Sequence, residues 1–473
     1  MKQQISIHWF KQDLRLQDNP SINYLSEKEE KTLFIYIFEN DNDSLSLGSA
    51  SKVWLHHSLE YLNKQLNGKL LIFSDSPKNV FKKLIEDFSV SSVSWNRCYD
   101  PASIKNDAKI KIFLKKHIDD VKSFNGSLLW EPWEILKSDG TPFKVFTPFY
   151  KNGCLAFAPP RKPISKKIKI FDSNYSTNEI SFLKYNEKNK WAPKITQNWK
   201  IGEEFAHEAM SNFFKFGIEN YKEGRNFPSK KNVSRLSPFI HWGQISPNTL
   251  WWECSEKNYS INQENINTFK SELGWREFSY YLLFHFPKIT KENLQVKFDN
   301  FEWEFNKIYF KRWTEGQTGY PIVDAGMREL WETGYMHNRI RMIVGSFLVK
   351  NLLIHWKKGE RWFWDCLFDA DVASNSASWQ WVAGTGADAA PYFRIFNPVA
   401  QGQKFDPDGE YTKKYVPELK KMPLKYLFNP WDCPENVSND IEFKIGKHYP
   451  SPVVNLKESR EKALKVFTSL KKI

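Results

Sequence analysis

LFIYIF (Leu33–Phe38), KVWLHHSLEYLNKQLN (Lys52–Asn67) and LLIF (Leu70–Phe73), taken together, decide the fold. The first and third are short and apolar, rich in β-branched and aromatic residues, as strands buried on both faces of a parallel sheet must be. Between them Val53, Leu55, Leu59, Leu62 and Leu66 recur at roughly helical spacing. Strand, helix, strand is the repeating unit of a doubly wound α/β domain. Outward from this unit, Ile5–Phe10 and Val90–Trp95 read as two further buried strands. No G-x-G-x-x-G turn follows them, so the usual dinucleotide site is not indicated.

Beyond about residue 130 the pattern changes. A polar stretch, in which Pro159, Pro160 and Pro163 neighbour Lys166, Lys167 and Lys169, reads as an interdomain connection. After it the apolar period is helical, through Phe205–Phe216, Phe269–Phe284, Val323–Thr333, Arg339–Trp356 and Arg361–Asp369, with no alternating strand pattern and no internal repeat. The expected organisation is an α/β domain over 1–130, a connector over 131–200 and an all-helical domain over 201–473.

A chain of 473 residues suits two or three domains. Its net charge of +13 and pI near 9.1 suit a polyanionic partner such as nucleic acid, or equally a solvated lysine-rich surface. Tryptophan is several times commoner than usual, with 20 copies. Five scattered cysteines with no C-x-x-C pair argue against a metal site of adjacent ligands and against a disulfide framework, and for a reducing compartment. MKQQISIHWFKQ has no apolar signal stretch, and Lys350 interrupts the apolar run Phe347–Ile354. A soluble, cytoplasmic monomer without metal is expected.

Several groupings carry chemistry. Glu272, Trp275 and Arg276 stand at i, i+3 and i+4, so one helix face presents a carboxylate, a large ring and a guanidinium. That face is either a pocket lining or a surface ion pair around a buried tryptophan. Asn338, Arg341 and Met342 repeat the spacing, with Arg341 placed to pair with Asp369, whose burial without a partner would be costly, and Met342 offering soft apolar surface. Asp369–Asn375 reads as a loop-rich, turn-forming segment. Trp379 and Trp381, two apart, point to different sides of a helix.

The runs SRLSP (234–238), ELGWREF (272–278), TGYPIVDA (318–325), MHNRIRM (336–342), DADVASN (369–375) leading into WQW (379–381), and DAAPYFR (388–394), with WFKQDLR (9–15), together resemble the photolyase/cryptochrome family. The resemblance covers essentially the whole chain, and within the family is nearest the class I cyclobutane pyrimidine dimer photolyases. It implies FAD in the helical domain, active as the reduced anion, and a second light-harvesting chromophore at the α/β domain. Repair is then electron transfer: excited flavin lends one electron to the dimer, the cyclobutane ring opens, and the electron returns.

The resemblance also implies roles. Glu272 bonds the dimer's base edge, Trp275 and Trp381 stack on it, Met342 gives it apolar contact, and Arg276 and Asn338 lie near both flavin and lesion. Arg341 favours an anionic flavin, whose ring edge and ribityl chain are gripped by Asp369, Ala370 and Asp371. Asn375 faces flavin N5, where plant cryptochromes mostly have Asp and insect ones Cys; a neutral amide there favours the reduced anion without supplying a proton. Ser234, Arg235, Leu236 and Ser237 hold the pyrophosphate with Tyr221 upstream, although Val233 stands where the family has a hydroxyl. Trp379, Trp356 and Trp303 form an electron-transfer chain from flavin to surface. Arg225, Arg339, Arg394 and Lys404 match or neighbour DNA-backbone contacts. Photolyases of (6-4) lesions carry histidines where this chain has Asn338 and Met342. A folate-type antenna would call for an acidic side chain where Ala102 and Ser103 stand, with Asp100 or Asp107 as substitutes; folate, deazaflavin and an empty site stay open, and Lys11 for the family's Arg decides nothing. The alternative function is a blue-light photoreceptor, an expectation lowered by the absence of a long C-terminal tail after Ile473.

Overall fold

A computed structural model of the chain describes residues 2–38, 46–173, 175, 191–256 and 262–470. Five parallel strands form one sheet: β1 (Gln4–Phe10), β2 (Lys31–Ile37), β3 (Leu70–Phe73), β4 (Ser89–Asn96) and β5 (Asp120–Phe124), in spatial order β3-β2-β1-β4-β5. In β1 all six positions from Ile5 to Phe10 are buried, and the strand pairs with β2 on one side and β4 on the other. This is the doubly wound sheet that the apolar runs predict. The fifth strand is a correction. Its sequence, DVKSF, buries Val121 alone, so no apolar run marks it, unlike β3 (LLIF) at the opposite edge of the sheet.

By packing, the chain divides into two compact units, one of Met1–Ala192, Trp199–Lys215 and Ser234–Pro287, the other of Pro193–Asn198, Phe216–Val233 and Lys288–Ile473. The first therefore holds the sheet together with the helices Glu203–Asn212, Ser237–His241, Pro247–Glu256 and Gln263–His285. Within it the WFKQDLR motif is a clamp. The Arg15 guanidinium, 1 % exposed, donates to the carbonyls of Asp18 (2.8 Å), Gly126 (2.7 Å) and Gly243 (2.8 Å), and Glu203 accepts from the Leu16 and Gln17 amides at 2.8 and 2.7 Å. Gly243 has φ +66° and lies so close that a Cβ would fall 2.2 Å from the Gln12 carbonyl oxygen.

The proline–lysine stretch is tied to the sheet. Trp252 Nε1 donates to the Pro160 and Arg161 carbonyls, Arg161 pairs with Asp18, and Phe171 N–H donates to Thr32 of β2 at 2.8 Å. Residues 174 and 176–190 of the expected connector lie outside the described residues.

The second unit is helical, with a large core of aromatic and aliphatic side chains from Trp313 to Val453 and a smaller cluster of Phe298, Phe301, Leu353, Tyr392 and Ala463. The single helix expected over Arg339–Trp356 is two. Asn338–Ser346 runs into a wider turn, Phe347–Asn351, and a new helix, Trp356–Cys366, begins after a break. Leu353 sits there at φ +54°, a left-handed conformation no helix accommodates, and His355 caps the new start by accepting from the Lys357 amide at 3.1 Å. Apolar periodicity continues across the break because the connecting residues are buried too. Among the described residues no helix is long and apolar enough to cross a membrane.

Candidate functional site

In the first unit, the SRLSP turn holds Arg235 at φ +53°, uncommon for a residue with a Cβ and a mark of local constraint. Its guanidinium lies 4.4 Å from the Trp199 ring centre. Ser234 Oγ accepts from the Leu236 amide at 3.4 Å, Leu236 is buried, and Ser237 opens the short helix Ser237–His241. Glu272, Trp275 and Arg276 all lie on Gln263–His285 and are half-buried. Trp275 stacks one indole face on Phe146, with centroids 3.7 Å apart and planes 10° apart. Arg276 donates to the Ser127 carbonyl at 2.8 Å and the Glu277 carboxylate at 3.1 Å. Burial pushes Glu277 up to about 7, although Arg276 and the Leu129 and Trp130 amides oppose it. Arg276, expected at flavin and lesion, thus makes its hydrogen bonds within its own unit.

The second unit gathers the rest. Arg341 Nη2 donates to Asp369 Oδ2 at 2.8 Å, the pairing expected from the sequence, and its Nε donates to the Met336 carbonyl at 2.8 Å, which the sequence did not indicate. Burial opposes the Arg341 charge, but Asp369 outweighs it and holds the guanidinium above its ordinary pKa. Ala370 is buried. Asp371 is the N-cap of the helix Val372–Ala383, accepting from the Ser374 amide at 2.6 Å. Asn375 therefore stands in a helical first turn and not in a loop, because the Asp371 carboxylate starts the helix earlier than the turn-forming residues suggest. Its amide Nδ2 donates to the Glu360 carbonyl at 3.1 Å, and Ser376 Oγ donates to the Glu360 carboxylate.

Trp379 and Trp381 separate as their spacing requires: the first is buried, the second half-exposed. Trp379 lies against Gly359, where a Cβ would fall 2.1 Å from the indole. Gly359 is in the first turn of Trp356–Cys366, so the backbone carrying Trp356 passes directly over Trp379. Trp356 is fully buried, its Nε1 donating to Asn293 at 2.9 Å, and Trp303 is half-buried. Sequence reading passed over Gly359, though a glycine inside a helix weakens it unless close approach needs it.

Positive charge concentrates around His337. This N-cap residue accepts the Arg339 amide on Nδ1 at 3.2 Å, so the neutral ring carries its proton on Nε2, which faces no acceptor among the described residues. Burial, then Arg339, Arg225 and Arg341, push its pKa down to about 3. Arg339 also reaches Asn226 and lies 4.4 Å over the Phe405 ring, and its Nη1 is 3.7 Å from Met342 Sδ. Asn338 is exposed, Tyr221 is buried beneath Arg225, and Arg394 and Lys404 are exposed. A buried donor among three guanidinium groups fits an anionic group such as a phosphate.

The substitutes considered for an antenna carboxylate are engaged within the chain. Asp100 caps the helix Pro101–Leu114, which contains Ala102 and Ser103, by accepting from the Ser103 amide, and Asp107 pairs with Lys11 and accepts from Trp95 Nε1 at 3.1 Å.

Residues 6–166 match the family described as DNA photolyase, and residues 269–469 the FAD binding domain of DNA photolyase. The chain belongs to the photolyase/cryptochrome family. Among photolyase relatives, the deoxyribodipyrimidine photo-lyase of Agrobacterium fabrum is 42% identical over 98% of this chain and 98% of its own. A crystal structure of a bacterial class III photolyase from Agrobacterium tumefaciens superposes with TM-score 0.95 at 41% identity, covering 100% of this chain and 99% of that one. Cryptochrome-1 of Arabidopsis thaliana is 34% identical over 96% of this chain and 69% of its own length. The Agrobacterium tumefaciens structure is of a class III photolyase, whereas the sequence motifs resemble class I most. An FAD-binding photolyase-family fold is thus established for this chain.

Proposed function

We propose that this family member is a light-driven DNA repair enzyme that splits cyclobutane pyrimidine dimers. The observation carrying this reading is the Asn375 amide, buried and fixed by the Glu360 carbonyl at 3.1 Å. A fixed neutral amide offers hydrogen bonding but no acidic proton, which suits a cofactor kept as a reduced anion. FAD, when bound and reduced, supplies the electron that light sends to the lesion and that returns after ring opening. The chain's own residues hold and surround: the Ser234–Ser237 turn and Tyr221 for the pyrophosphate, Arg341 and Asp369 at the flavin ring, Trp275 and Trp381 as stacking surfaces for unpaired bases. Purified protein should be coloured and release about one FAD per chain on denaturation, and should repair dimers only under blue light after reduction. Colourless protein that FAD cannot reconstitute would sink the reading; a flavoprotein without repair would move it to the photoreceptor alternative.

Trp303, Trp356 and Trp379 are proposed as the path by which electrons reach the flavin site from the surface. Each Trp→Phe variant should block or strongly slow light-driven reduction of the oxidised protein, yet leave repair by chemically reduced enzyme largely intact. Loss of repair in pre-reduced variants would make these residues structural.

Arg225, Arg339, Arg394 and Lys404 are proposed as phosphate contacts. Binding to dimer-containing duplex should then weaken with salt, with a slope of about −0.9 per phosphate neutralised. Arg225→Ala or Arg394→Ala should each reduce that slope by about one unit and leave discrimination for damage mostly unchanged. A titration from low to moderate salt checks this, and salt-insensitive binding contradicts it.

A further inference from the structure

Trp303 and Trp356 make no ring contact with each other among the described residues, yet a single side chain touches both. The His355 imidazole lies 5.5 Å from Trp356, nearly stacked at 29°, and 5.1 Å from Trp303 at 59°. We propose that His355 carries the electronic coupling between these two tryptophans, an aromatic stepping surface that shortens the gap through which the electron passes. The proposal rests on the electron path set out above and adds a member to it.

Three features suit the role. The ring is fixed: its Nδ1 accepts the Lys357 amide at 3.1 Å, and the left-handed turn at Leu353, whose carbonyl accepts the Glu304 amide at 2.8 Å, holds the segment beside Trp303. The ring is neutral: burial, then Lys357 and Lys358, push the imidazole down to about 4, so His355 itself sets no positive charge against either indole, and the cation over Trp356 is the Lys357 ammonium, 5.5 Å from the ring centre. Finally, the ring passes the electron and not a proton. With Nδ1 occupied by the Lys357 N–H, the neutral tautomer carries its hydrogen on Nε2 and keeps no lone pair for the Trp303 indole proton. In the step itself one electron leaves Trp303 and fills the vacancy on Trp356, which has lost its own through Trp379 to light-excited oxidised flavin. His355 is neither oxidised nor reduced, and no bond changes.

Two substitutions separate the ring from the cap. His355→Asn keeps a good N-cap acceptor and removes the ring, whereas His355→Phe keeps a ring and removes the acceptor. After a laser flash on oxidised holoprotein, appearance of the long-lived Trp303 radical by transient absorption should be slowed several-fold in His355→Asn and stay near wild type in His355→Phe. The thermal midpoint of the FAD-free chain should show the reverse order, falling only in His355→Phe. Wild-type radical formation in His355→Asn, alongside its loss in Trp303→Phe, would overturn the proposal and spare the path. Slowing in His355→Phe with none in His355→Asn would also overturn it, in favour of the cap. If Trp303→Phe leaves the radical signal unchanged, the path and this step fall together.

Discussion

Arg341→Ala should lower the unfolding free energy of the protein by about 3 kcal/mol, the low end of what breaking a buried ion pair costs. The asymmetry of burial sets that value. Asp369 has a side chain only 5 % exposed, whereas Arg341 is 26 % exposed, so removing the guanidinium leaves a buried charge without this cation. The same change frees the Met336 carbonyl and disconnects the helix Asn338–Ser346 from the segment that leads into Val372–Ala383. Asp369→Asn should cost less, about 1–2 kcal/mol, because the partner it deserts is the more exposed one and the amide still accepts a hydrogen bond. Arg341→Lys should fall between them, since the ammonium keeps the charge but lacks the planar fork whose Nε and Nη2 reach the Met336 carbonyl and Asp369 from separate atoms. Urea denaturation of the three variants checks the order. Equal costs would mean that the pair is no more than a surface bridge. The proposed flavin contact adds a second readout: Arg341→Ala should purify with little or no bound FAD, whereas Asp369→Asn retains part of it.

What the sequence disclosed follows from which interactions are local. The β2 and β3 runs declare themselves because burial on both faces favours apolar residues at successive positions, whereas β1 and β4 interleave theirs with buried polar residues, Ser6 and His8 in the one and Ser92, Ser94 and Asn96 in the other. In β5 only Val121 is buried, and its DVKSF reads as loop. Likewise Arg341 and Asp369 could be paired from residue types, since charge in a buried setting must be compensated. The break at Leu353 and the cap at His355 depend on one backbone torsion, which no periodicity encodes. Arg276 shows the limit of a helical-face argument: spacing correctly put it on the helix of Glu272 and Trp275, but its long side chain turns to Ser127 and Glu277. The residues that hold Asn375 and Trp379 in place, Glu360 and Gly359, were missed because neither has a chemical signature of its own in the sequence.

The protein should repair cyclobutane dimers under blue light and leave (6-4) products untouched, a contrast of turnover against none. Flipping either lesion out of the duplex costs a few kcal/mol, less than for intact bases. Trp381 and Met342, both half-exposed, offer flat and apolar surface to offset that cost. Stacking alone does not separate the two lesions, but proton chemistry does. Repair of a (6-4) product requires a proton to be delivered, and a general acid must carry one near neutral pH. Asn338 and Met342 have none to give. The adjacent imidazole does not compensate: His337 is buried among three arginines, with its pKa pushed down to about 3, and its Nδ1 holds the Arg339 amide. Its proton at neutral pH is therefore the strongly held one of a neutral ring. Glu272→Ala should reduce dimer affinity and repair yield without loss of FAD, a loss of lesion recognition alone. Asn338→His with Met342→His would restore titratable groups at the two positions and should weaken dimer repair without creating efficient (6-4) repair. Both substrates, assayed side by side under the same illumination, decide the matter: preferential turnover of the (6-4) lesion by the natural chain would overturn the assignment.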